Sequence, residues 1–86
     1  MTVNPGFGNQ SFLHVTLPKI RRVAQMIEQV KRECELEVDG GIDEATAPLA
    51  VAAGANVMVA GSAIFGAGIG VCAAMQRLRN AVYCAA

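Results

Sequence analysis

Three short clusters in this chain combine residue types that could do chemistry: Asn4-Pro5-Gly6-Phe7-Gly8-Asn9, Asp39-Gly40-Gly41 and Gly61-Ser62. Glycine turns leave backbone N–H groups unobstructed, and successive N–H groups form nests that attract anions. Helix N-termini following such turns add a favourable dipole. Together with the Ser62 hydroxyl, the clusters suit a phosphate group. The same glycines would equally serve tight strand-to-helix turns with no ligand. Asp39 is one of only two aspartates and has no basic neighbour in sequence. A carboxylate so placed can act as a general base or bind a divalent cation. It can also simply bond the amides of its own turn.

The elements that must position these clusters follow from the hydrophobic pattern. Residues 1–4 are β-capable, and Pro5 and Gly6 end any regular structure there. Pro18 suits the first turn of a helix. Ile20, Val23, Ile27 and Val30 recur at three- and four-residue steps, with Arg21, Arg22, Gln25, Glu28 and Lys31 on the other face, predicting an amphipathic helix over 18–33. Residues 36–38 predict a strand. Asp43 looks like an N-cap for a helix over 45–53, with Gly54 as the glycine that ends it. Residues 57–60 predict a second apolar strand. A last helix should carry Val71, Met75, Leu78 and Val82 on one face. Strands alternating with helices indicate an α/β fold with a parallel sheet and right-handed crossovers. In such arrays functional residues gather beyond the C-terminal strand ends, where all three clusters fall.

Several function classes are excluded or disfavoured. The 86 residues carry a formal net charge of zero, which gives no electrostatic case for nucleic acid, whose binders usually carry a basic face. No charged residue occurs between Glu44 and Arg77, a stretch long enough to span a bilayer. Pro48, Asn56, Ser62 and five glycines interrupt it, which predicts a buried helix, a buried strand and a loop instead. The Met1 end has neither a basic region nor a long apolar run, so no secretory signal is expected and the cytoplasm is the default. Cys34, Cys72 and Cys84 lack metal or disulfide spacing and read as buried or incidental thiols. His14 has no second ligand nearby and reads as a surface residue. Glu35 and Glu37 read as part of a solvated face. Gly66-Ala67-Gly68-Ile69-Gly70 imitates the start of a dinucleotide fingerprint. However, Val71 stands where the last glycine should be, and no acidic residue follows.

The three clusters, taken in order, resemble the ribulose-phosphate 3-epimerase family. Residues 1–12 are similar to its sixth-strand segment, 37–42 to its seventh and 59–65 to its eighth. Asn9 departs from the pattern, because the family usually has a third glycine there. The resemblance implies a TIM barrel, of which this chain would hold about three βα units as one partial barrel segment over 1–86. It also implies that Gly6, Phe7, Gly8 and Asn9 form a mobile loop beside the substrate, and that Met1 lines the site. Asp39 would be an acid/base residue and a ligand of the family's divalent metal. Gly40, Gly41, Gly61 and Ser62 would hold a sugar phosphate through backbone amides.

The family's second Asp, two metal-binding His residues and a Ser come from earlier strands and have no counterpart here. The resemblance therefore implies a C-terminal fragment, inactive alone and without tight metal binding. Two other readings compete. One is a self-associating, non-catalytic module that binds phosphate or a sugar phosphate, since a three-strand sheet leaves open edges and an apolar face. The other is a split enzyme completed by a partner chain carrying the missing strands.

Overall fold

The protein is described from a computed structural model, which covers residues 1–31 and 33–85, with side chains described as far as Tyr83. In chain order come a 3-10 turn (His14–Thr16), α1 (Leu17–Val30), β1 (Glu37–Asp39), α2 (Ala47–Ala53), β2 (Val57–Val59), α3 (Ser62–Phe65) and α4 (Val71–Ala85). β1 and β2 pair in parallel, with Glu37 opposite Val57 and Asp39 opposite Val59. The connection between them runs through α2, as a parallel pair requires.

The expected α/β class and parallel pairing are present, but the sheet has two strands rather than three. Residues 1–4 form no strand. Thr2 donates one backbone hydrogen bond to the Asp39 carbonyl (2.9 Å), and its own carbonyl accepts from Leu13 N–H (2.7 Å). A ladder continuing past Thr2 would soon meet Pro5, which has no N–H to contribute. The segment therefore lies beside β1, fastened at a single residue.

The helices hold their expected places with shifted ends. α1 stops at Val30, three residues early, because Lys31 turns left-handed (φ 51°). Its stripe is buried at Ile20, half-buried at Val23 and Ile27, and exposed at Val30. Asp43 does cap the start of α2: its Oδ1 accepts from the N–H groups of Ala45 and Thr46 at 2.8 and 2.9 Å. Regular helix begins at Ala47, with Pro48 in the first turn where its missing N–H costs nothing. Gly54 ends α2 at φ 117°. A side chain there would collide with Ala24 of α1, so α1 and α2 meet at the closest approach that small residues permit.

The helices cover one face of the sheet. Val38 points into the core, while Glu37 and Asp39 are exposed on the opposite face. Phe12, Ile20, Ile42, Ala47, Ala50, Ala53 and Ala55 complete the core around Val38. α4 packs on α2 and α3. Ala74 is its buried contact, whereas Val71 and Met75 of the expected apolar face remain more than 40% exposed. Cys34 and Cys72 are exposed rather than buried; the side chain of Cys84 lies outside the described residues. The chargeless stretch is divided among α2, β2, α3 and the start of α4, and no described helix is long and apolar enough to cross a membrane.

Candidate functional site

The site is built at the C-terminal ends of β1 and β2. β1 ends in Asp39, and the chain turns at once through Gly40 (φ 125°) and Gly41 (φ 66°). Both angles are forbidden or strained for residues with a Cβ. Space enforces the same choice: a Cβ on Gly40 would lie 2.8 Å from the Val3 backbone nitrogen, and one on Gly41 would lie 2.7 Å from Phe12 Cα. The loop of residues 4–12 thus rests directly on the glycine turn. Gly6 also has positive φ (140°), and so does Asn9 (58°). Asparagine is among the few residues other than glycine that adopt this conformation readily. That accounts for how Asn9 fits a position where glycine is usual.

Met1, Gly6, Phe7, Gly8, Asn9, Asp39, Gly40, Gly41, Gly61 and Ser62 all line one cavity of about 370 Å³. The three clusters identified in the sequence therefore come together, although the first and last are more than 50 positions apart in the chain. Phe7 stands at the rim and is 87% exposed. Asp39 is the only acidic residue lining the cavity, and its carboxylate has no hydrogen-bond partner among the described residues. His14 lies outside this cavity, with its ring edge-on to Phe12 at 5.3 Å.

Sequence reading missed the side chains that hold the clusters in place. Thr2 is almost completely buried, and its hydroxyl donates to the Gly40 carbonyl at 2.6 Å. The Thr46 hydroxyl accepts from Asp43 N–H at 2.9 Å and donates to the Gly41 carbonyl at 2.6 Å. Gln10 Nε2 donates to the carbonyls of Asn4 and Phe7, both at 2.8 Å. The available signal was polarity out of pattern: Thr2 lies between Met1 and Val3, and Thr46 between Ala45 and Ala47. Among the described residues, the N–H groups of Gly41, Ile42, Gly61 and Ser62 donate to no acceptor in the turns, loops and caps, whereas the parallel register of Asp39 with Val59 turns the Gly40 N–H toward the β2 strand. A cavity bordered by unpaired amides and one carboxylate can hold an anionic group and exchange a proton with what is attached to it.

A metal fits less well. No group of three His, Cys, Asp or Glu side chains that could hold an ion occurs among the described residues. Hard divalent cations take about six or more oxygen ligands, and Asp39 supplies one carboxylate. These residues do not make a metal centre by themselves.

Parallel strands joined through a helix, with glycine-rich turns gathered at their C-terminal ends, place the chain among α/β proteins with sites at the strand ends. The sequence pattern of the Ribulose-phosphate 3 epimerase family matches residues 1–65, and the chain belongs to that family. It is 57% identical over 67 residues to a ribulose-phosphate 3-epimerase of Bacillus subtilis (strain 168), covering 77% of this chain and 31% of the relative. It is 54% identical over 66 residues to the Serratia marcescens enzyme of that name, covering 77% and 31%. Identity to the Methanocaldococcus jannaschii one is 54% over 66 residues, covering 77% and 28%. The chain thus spans less than a third of the length of these relatives.

Proposed function

We propose that the chain is a partial (β/α) barrel segment, 1–86, forming the C-terminal, sugar-phosphate-holding portion of a ribulose-phosphate 3-epimerase. The observation that supports this reading is the convergence of Asp39 and the unpaired glycine-turn amides on one cavity. In the reaction, ribulose 5-phosphate and xylulose 5-phosphate interconvert by loss of the C3 proton and its return on the opposite face. Asp39 takes or returns that proton on one side. Gly40, Gly41, Gly61 and Ser62 hold the phosphate through backbone amides, the loop Gly6-Phe7-Gly8-Asn9 covers the substrate, and Met1 flanks the reacting carbons.

Inversion needs a second group on the other face, and among the described residues this cavity has no other acid or imidazole lining it. The chain alone is therefore inactive. The family's divalent metal, which would stabilise the oxyanion formed on proton loss, needs ligands beyond Asp39. The setting is cytoplasmic, where phosphorylated sugars are made and used. The test is to assay the purified chain for the interconversion and to titrate it with ribulose 5-phosphate by NMR. Binding without turnover supports the reading. Turnover that disappears in Asp39→Asn overturns the inactivity, and absence of binding overturns the retained half-site.

A second reading, self-association, has its own support. The accessible surface is 6008 Å² for 8.9 kDa, against about 4,800 Å² for a compact monomer of that mass. The excess, about 1,200 Å² per chain, is of the size each partner buries in an obligate dimer. Two features could meet a second copy: the outer edge of β2 is unpaired, and Met58, Met75, Val82 and Tyr83 line an open groove. Sedimentation velocity at micromolar concentration should give a dimer or larger species. A monomer that unfolds cooperatively would reject this reading.

A further inference from the structure

We propose that Thr2, Thr46 and Gln10 are positioning residues, which set the direction of the site's backbone amides by holding the carbonyls on the other side of the same peptide planes. The proposal deepens the sugar-phosphate reading and rests on it for the ligand. In a trans peptide the C=O and the following N–H point opposite ways, and no peptide among the described residues is cis. Fixing the Gly40 carbonyl on Thr2 therefore fixes the Gly41 N–H. Fixing the Gly41 carbonyl on Thr46 fixes the Ile42 N–H, and fixing the Phe7 carbonyl on Gln10 fixes the Gly8 N–H.

These planes need holding. Glycine lacks the Cβ that would otherwise restrict rotation, so the two planes around Gly41 could turn over and present carbonyls to an anion. The two threonine hydroxyls prevent this from beneath. Thr2 is 1% exposed and Thr46 is 9% exposed. The direction of the Thr46 bond is settled by its neighbours. Its oxygen receives the Asp43 N–H, and its single proton goes to the Gly41 carbonyl at 2.6 Å rather than to Asp43 Oδ1 at 3.1 Å. Asp43 Oδ1 already accepts two amides. Gln10 has the corresponding task in the loop, where among the described residues no backbone–backbone bond ties residues 4–12. Both of its Nε2 protons are used.

The experiment uses the isotopically labelled full chain and the pair Thr2→Val and Thr2→Ser, which remove and retain the hydroxyl. Residual dipolar couplings report the direction of the Gly41 N–H without ligand, and titration with inorganic phosphate reports binding. In Thr2→Val the Gly41 coupling should change while those of α1 and α2 do not, and phosphate affinity should fall about tenfold, the loss of one charge-assisted hydrogen bond. Thr2→Ser should restore both. An unchanged Gly41 coupling in folded Thr2→Val overturns the proposal. If the wild-type chain takes no phosphate, the anion reading fails while the couplings still decide the positioning role. If Thr2→Val does not fold, Gln10→Ala puts the same question to the Gly8 N–H, and an unchanged coupling there overturns the proposal.

Discussion

Replacing Gly41 by alanine should destabilise the chain severely, for two reasons that can be sized separately. The position has φ 66°, left-handed backbone, and imposing it on an alanine costs about 1–2 kcal/mol. The new Cβ would lie 2.7 Å from Phe12 Cα and 2.9 Å from Phe12 Cβ. Carbon atoms prefer about 3.5–4.0 Å, so Phe12 must retreat by about 1 Å. Phe12 is buried in the core, and the next residue is fastened to Thr2. Forcing such a shift costs about 1–3 kcal/mol. The total, about 2–5 kcal/mol, is a large part of the about 5–15 kcal/mol that holds a domain folded. Urea denaturation followed by circular dichroism measures it. With a slope of about 1 kcal/mol per molar for so small a chain, the midpoint should fall by about 2 M or more. Gly61→Ala is the control, because its φ is −110° and its Cβ would meet nothing within 4 Å. A Gly41→Ala protein whose midpoint matches that of the control would refute the reasoning.

Other expectations are simpler. Asp43→Ala removes the acceptor for the Ala45 and Thr46 amides in the turn that leads into α2 and should cost about 1 kcal/mol; Asp43→Asn should lose less, as a pair of thermal melts would show. Ala50 is completely buried against the other core residues, so Ala50→Val should overpack the core by about 1–3 kcal/mol, read from the urea midpoint. Asp39→Asn should leave stability within about 0.5 kcal/mol of wild type, because the carboxylate is exposed and has no hydrogen-bond partner among the described residues. In any assembly of this chain that epimerises, the same change should abolish turnover.

The legible parts of this chain were those governed by local pattern. The α1 stripe, the Asp43 cap, the Gly54 terminus and the apolar β2 run each follow from neighbours within a few positions. The end of α1 was not legible, because Lys31 adopts the left-handed conformation without being glycine. The strand expected over 1–4 failed for a different reason. Its residue types suit a strand, but a strand needs a continued ladder, and only Thr2 of this segment bonds β1, with Pro5 unable to extend the pairing. The glycines and Asp39 were recognisable because their chemistry is rare at such spacing. Thr2, Gln10 and Thr46 were not, since a threonine or glutamine that bonds a backbone carbonyl looks in sequence like one that faces water.

Thr2 joins three parts of the chain through its N–H, its carbonyl and its hydroxyl, with partners at Leu13, Asp39 and Gly40. Two of those partners are about 40 positions away, whereas α1, α2 and the β1–β2 pair form between closer neighbours. Closing so long a loop must be offset by contacts that already exist. Contacts of that sequence separation are expected to form after the closer β1–α2–β2 pairing. Amide exchange at Thr2 and Leu13 should proceed through openings that leave α2 protected.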